Sequence, residues 1–148
     1  MSKRNIKFWI LHIPGWLLVL YLIYAQAIPA FDYELGISMG TQESADIISD
    51  VGVAFWYGFA FGDLVIYIPL LVFGLLGHWF KRNFGYVLLS ASLGITVYWP
   101  IVCLAAVVSA RDATGWNLES EVEYWIVLPV ITVWGLWGLW YIYAQPSE

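Results

Sequence analysis

The sequence is short of almost everything that a water-facing protein uses. Only 11% of its 148 residues are charged, six Lys and Arg against eleven Asp and Glu, where soluble domains carry about 25%. It has one cysteine, Cys103, and two histidines, His12 and His78. A lone cysteine excludes an internal disulfide and any site built on a cysteine pair. So few basic residues exclude nucleic-acid binding, which depends on Lys and Arg at phosphates. Also missing are a glycine-rich phosphate loop, a His-Glu-x-x-His pair and a serine nucleophile motif. No low-complexity tract divides the chain, so one domain is expected over residues 1–148.

What is abundant is apolar. Hydrophobic residues make up 61% of the chain, and there are ten Trp, ten Tyr and eight Phe. A chain this small has too little interior to hide so much apolar surface from water. It is therefore expected to lie in a membrane. No charge falls between Lys7 and Asp32, between Arg82 and Arg111, or between Glu123 and Glu148, and each gap is at least 24 residues long. About 20 apolar residues suffice to span. A fourth stretch, between Asp50 and Lys81, holds one charge, Asp63. These gaps predict an all-α bundle of four transmembrane helices, roughly 8–30, 57–80, 84–109 and 124–144. A β-barrel would need alternating strands, whereas Leu17 to Leu20 and Leu70 to Phe73 are apolar on every side.

Lys and Arg set the orientation. Lys3, Arg4 and Lys7 precede the first helix, Lys81 and Arg82 join the second and third, and Arg111 alone lies opposite. Both termini are expected in the cytoplasm, as in a bacterial inner membrane. Ten of the eleven acids, among them Asp32, Glu43, Asp50, Glu119, Glu121 and Glu123, then gather at the outer side. The first helix also has features of a secretory signal, with Ala25-Gln26-Ala27 as a cleavage site. Its long run from Phe8 to Tyr24, interrupted by Pro14, favours a retained helix.

The outer connection is acidic and long. Phe31 to Gly40 reads as irregular, broken by Gly36 and Gly40. Thr41 is placed to cap a short helix in which Ile47, Val51 and Ala54 share a face. That helix either lies on the membrane surface or runs straight into the second span.

Several residues are candidates for chemistry. A carboxylate within a span is expensive and marks a functional candidate, which singles out Asp63. Counted from Lys81 it lies ~27 Å from the inner boundary of a ~30 Å core, where water or Arg111 is expected to meet it. His12 and His78 fall at similar depth near the inner side and are the only pair able to ligate a haem or contribute to a metal site. Pro14, Pro69, Pro100 and Pro129 put one proline in each helix. Each frees the carbonyl four residues back, those of Ile10, Val65, Thr96 and Trp125. Ala54, Gly58 and Gly62 repeat every four residues, a pattern for close helix packing within the bundle or with a partner protein or second copy. Trp9, Trp16, Trp79 and Trp140 suit the inner aromatic belt, and Trp56, Trp116 and Trp125 the outer. Trp99, Trp134 and Trp137 lie deeper, where an indole N–H needs a partner.

These features lead to one expectation and three competitors. The expectation is a non-enzymatic membrane protein, in contact with lipid, that binds a lipid or small apolar ligand or serves as a transport-associated accessory subunit. Asp63 and Arg111 would orient the ligand at the outer mouth, and Tyr67, Thr96, Trp99 and Trp134 would line its cavity. The competitors are a b-type haem protein using His12 and His78, an enzyme acting on lipid or isoprenoid through Asp63, and a scaffold with a partner on Gly58 and Gly62. Without the histidine pair no cofactor is implied.

Overall fold

A computed structural model describes residues 4–118 and 121–144. Lys3, Glu119, Glu148 and the side chain of Glu123 lie outside the described residues. The described chain is helical without a strand. Four helices are long and apolar enough to cross a membrane: α1 (Ile6–Phe31), α3 (Ala45–Trp79), α4 (Asn83–Ala110) and α5 (Val122–Tyr143), with a short α2 (Tyr33–Ser38) between the first two. The protein is an integral membrane helical bundle.

The outward faces carry Leu17, Leu20, Ile101, Val130, Val133 and Leu136, as contact with hydrocarbon requires. Inside, Leu11, Leu18, Leu22, Tyr67, Leu71, Leu75, Leu89 and Leu93 form one core, with Trp134 and Trp137 against it. Consecutive helices are neighbours, α3 with α4 and α4 with α5, and α1 packs on α3. Leu11 of α1 also reaches Gly138 of α5 and so closes the ring. Both described ends of the chain meet at one end of the bundle, the terminal end, where the Lys7 ammonium lies over the Trp140 ring. The opposite, loop end carries α2 and the connection between α4 and α5.

The turn between α3 and α4 is as tight as its sequence implies. Arg82 N–H donates to Gly77 C=O at 2.8 Å and Lys81 N–H to His78 C=O at 3.1 Å, the paired bonds of a Schellman cap. Lys81 takes the left-handed conformation (φ 55°) that this cap demands. Above the turn, a side chain on Gly74 would stand 2.7 Å from Leu89 Cα, and one on Gly77 or Gly85 would enter the other's backbone. Glycine is required there because the two backbones touch.

The loop end differs from expectation in three respects. Residues 33–38 are helical rather than irregular, because Asp32 accepts from Leu35 N–H at 3.0 Å and caps them. Thr41 does not cap the following helix. Its hydroxyl donates to Gly36 C=O at 3.2 Å and ties down the end of α2. The helix begins instead at Ala45 and runs into the second span across a break at Ser49 (φ 64°, ψ 164°). At 35 residues, α3 is about 52 Å long at helical rise and outreaches a ~30 Å core. Gly58 and Gly62 do not pack within the bundle: nothing described lies within 4 Å of a side chain added at either.

Two of the spans contain a π turn, Ile23–Ala27 in α1 and Asp63–Tyr67 in α3. Each is followed by Ile-Pro, at Ile28-Pro29 and Ile68-Pro69. A proline cannot donate to the fourth residue back, and widening the preceding turn redistributes the remaining bonds. The two π turns pack against one another and turn Gln26 and Asp63 into the protein.

Gly85→Ala is expected to cost about 2 kcal/mol, because backbone must move to admit the methyl. Gly58→Ala, in open space, is expected to stay within about 0.5 kcal/mol. Unfolding by SDS titration from mild detergent measures both, and equal effects would disprove the contact.

Candidate functional site

A concavity lies at the loop end. It is a cavity of about 590 Å³ to which all four spans contribute. From α1 come Tyr21, Tyr24, Ala25 and Gln26; from the connection, Gly40, Thr41, Gln42 and Glu43; from α3, Ile47, Trp56 and Phe59. Trp99 and Cys103 of α4 form a further wall, and Leu118, Tyr124, Val127 and Leu128 complete it. A second, shallow groove of about 240 Å³ faces outward between Trp9, His12, Trp16 and Trp79 at the terminal end.

Local hydrogen bonds hold the cavity's rim. Gln42 Nε2 donates to Ala25 C=O at 2.8 Å, the carbonyl that Pro29 leaves without its helical donor. Tyr24 Oη donates to Met39 C=O at 3.3 Å and Tyr33 Oη to Glu43 C=O at 3.2 Å. Burial, with Glu43 and then Glu34 nearby, pushes the Tyr33 hydroxyl up to about 12, so it remains a donor. Asn117 N–H donates to Ile47 C=O at 2.6 Å and its side chain to Asp46 C=O at 3.2 Å, which pins the second loop onto α3.

Of the six residues expected around a cavity, Trp99 alone lines this one. Its Nε1 is buried and has no hydrogen-bond partner among the described residues. Tyr67 and Thr96 lie in the core as a bonded pair, 2.6 Å apart. Thr96 Oγ1 donates to Ser92 C=O at 2.8 Å, so the Tyr67 hydroxyl donates to Thr96. Trp134 stands elsewhere: its Nε1 donates to Ile10 C=O at 3.0 Å, the carbonyl freed by Pro14. An indole from α5 thus replaces the backbone donor that proline removed from α1.

Asp63 is neither solvated nor paired with Arg111. It is 5% exposed, and its Oδ2 has no hydrogen-bond partner among the described residues. It lies within electrostatic reach of Tyr67 and of Cys103 in the cavity wall. Arg111 is taken by Glu121 across the second loop, through Nε at 2.8 Å and through Nη2. That hydrogen bond, with a second from Trp125, holds the Glu121 carboxyl down at about 2. What the pair adds to the fold is complete above the ordinary value of 4.5 and is lost as pH falls through about 2.

His12 and His78 do face each other. His12 Nε2 and His78 Nδ1 are 2.9 Å apart and buried, so one ring donates to the other. Phe8 stacks on His12 at 4.1 Å, and Trp79, Tyr86 and Tyr141 enclose the pair edge-on. Arg4 covers this cluster with its guanidinium 3.5 Å from the Trp79 ring centre. A haem iron held between two imidazoles separates their nitrogens by roughly 4 Å, twice a metal–nitrogen bond of ~2 Å. These rings are closer than that. Among the described residues no three His, Cys, Asp or Glu gather as metal ligands.

No family model, no curated protein and no solved structure matches the chain.

The Trp134 bond gives a coupled prediction. Trp134→Phe is expected to cost about 1 kcal/mol, the usual net worth of one hydrogen bond. In a Pro14→Ala background, where residue 14 again supplies an N–H, the same change should cost clearly less. A double-mutant cycle by SDS unfolding measures the difference, and additive effects would sink the explanation.

Proposed function

We propose that the chain is a non-enzymatic membrane protein that binds a small amphipathic molecule or lipid headgroup in the loop-end cavity. One observation carries the reading: a cavity of about 590 Å³ walled by aromatics, with a buried indole donor that has no described partner. Ligand sites commonly measure about 300–1,000 Å³ and combine apolar walls with a few convergent polar groups. Gln26, Thr41, Gln42 and Glu43 are those groups here. Asp63 lies behind the wall as a positioning charge, and Arg111 acts at the rim by fixing the second loop through Glu121. The excess of Lys and Arg near the terminal end supports a cytoplasmic terminal end and an outward-opening cavity, in a membrane such as the bacterial inner membrane. The open faces of Gly58 and Gly62 supply a surface for a second copy or an accessory partner.

Native mass spectrometry of the chain released from mild detergent tests this reading. A retained small-molecule mass is expected, diminished at least fivefold by Trp99→Phe or by filling the cavity with Val127→Trp. A bare monomer throughout, or a mass unaffected by both changes, would overturn it.

A second reading rests on Asp63, a buried carboxyl whose Oδ2 has no hydrogen-bond partner among the described residues. In that reading it is the acid or base of an enzyme acting on a lipid or isoprenoid. Asp63→Asn would then abolish turnover of a lipid-linked substrate and leave the circular dichroism unchanged. Undiminished turnover in that variant would dismiss the role.

A further inference from the structure

Several donors around the cavity are committed to its own rim. The Tyr24 and Thr41 hydroxyls and the Gln42 amide donate to the carbonyls of Met39, Gly36 and Ala25. Two groups in the wall differ. Trp99 of α4 carries an Nε1–H that is buried and has no hydrogen-bond partner among the described residues. Gln26 of α1 is 9% exposed, lines the same cavity, and makes no side-chain hydrogen bond among the described residues. Its inward position belongs to the π turn Ile23–Ala27. An indole N–H can only donate, and a primary amide brings two N–H bonds beside its oxygen. The wall thus holds two donor groups, on different helices, that the fold itself does not use.

A ligand that enters takes water away from such groups and loses affinity unless it replaces those bonds. This selects for an acceptor. A hydrocarbon has none, and neither does a quaternary ammonium group. An anion has acceptors, but among the described residues no Lys, Arg or His lines the cavity to meet its charge, and an unpaired charge in a poorly hydrated site is expensive. A carbonyl oxygen has two lone pairs, no charge and no hydrogen of its own to satisfy.

Resting on the cavity reading, we infer that the ligand is an uncharged carbonyl compound, a ketone or ester on an apolar body. The Trp99 indole and the Gln26 amide are its hydrogen-bond donors, and its apolar body lies along Phe59, Val127 and Leu128. Such a carbonyl comes from a free apolar compound or from the acyl ester of a membrane lipid. The chemistry is the same for both.

Three probes built on one naphthalene ring test the inference: 2-acetylnaphthalene, its hydrocarbon isostere 2-isopropenylnaphthalene, and 2-naphthalenesulfonate. Binding to the purified full chain in mild detergent is read by calorimetry. The ketone is expected to bind about tenfold more tightly than the isostere, which leaves the donors unpaired, and more tightly than the sulfonate. With nitrogen-labelled tryptophan, the ketone should also move the indole N–H resonance that Trp99→Phe deletes, and the isostere should not. Trp99→Phe and Gln26→Met keep the bulk and remove the donors, and each is expected to shrink the ketone's advantage to less than about threefold. Equal binding of ketone and isostere, or no ketone binding where Val127→Trp still removes a retained mass, would overturn the carbonyl class and leave the cavity reading standing. If no probe binds and Val127→Trp changes nothing in the mass spectra, both fall. The comparison on the native chain needs no variant, so misfolding of W99F or Q26M would not weaken it. Nanodiscs name the source. A ketone affinity lower in ester-linked than in ether-linked phosphatidylcholine supports a lipid carbonyl as occupant, and equal affinities support a free compound.

Discussion

Hydrocarbon offers no hydrogen bonds, so a helix that crosses it must satisfy its backbone from within the protein. This chain makes that demand harder by placing a proline in every span. The carbonyl freed by Pro14 receives the Trp134 indole, and the carbonyl freed by Pro29 receives the Gln42 amide. Each donor comes from a segment remote in sequence. The repair of a local defect therefore becomes a tertiary bond, joining α5 to α1 in one case and the acidic connection to α1 in the other. Without those partners the prolines would leave polar groups facing lipid, and the helices that bear them would lose their reason to sit where they do.

Packing supplies the rest, because lipid tails are as apolar as leucine and give helices no hydrophobic reason to associate. Close approach has to make up for it. Along the terminal half of the bundle, Gly74, Gly77 and Gly85 let α3 and α4 touch backbone to backbone. Several polar groups are bonded inward: Tyr67 to Thr96, Thr96 to Ser92, and His12 Nε2 to His78. The two histidines belong to this aromatic layer, and the buried His12 Nδ1 has no hydrogen-bond partner among the described residues. Their facing nitrogens already satisfy one another.

The sequence was legible where a single physical rule dominates. Long charge gaps mark the four spans, and Lys81-Arg82 marks a tight antiparallel turn. Co-location of His12 and His78 follows from equal depth on neighbouring antiparallel helices. Less could be read where groups compete for one partner. Arg111 has acids on both sides, and the partly exposed Glu121 lies across the second loop within its reach, whereas reaching Asp63 would bury a guanidinium. The inward turn of Asp63 depends on a π turn, and hydrophobic periodicity holds no trace of one. A trace did exist in the repeated Ile-Pro at 28–29 and 68–69, since a proline there disturbs the turn before it. Gln42 and Trp134 were hidden for a different reason: a freed carbonyl announces its need, but its donor lies 17 residues away in one case and 124 in the other.

The same two features explain why the bundle is closed at one end and hollow at the other. Helix α4 packs closely along Ile68–Trp79 of α3, where the glycines lie, and has little contact with Ala45–Gly62. The change falls at the π turn of Asp63–Tyr67. Trp56 of α3 and Trp99 of α4 both line the gap, and the Gln42 bond ties the connection to α1 beside it. A cavity made this way is defined by backbone geometry rather than by a missing side chain. Its walls are set by where the prolines and π turns send the backbone, and this is the structural reason to regard it as a candidate site.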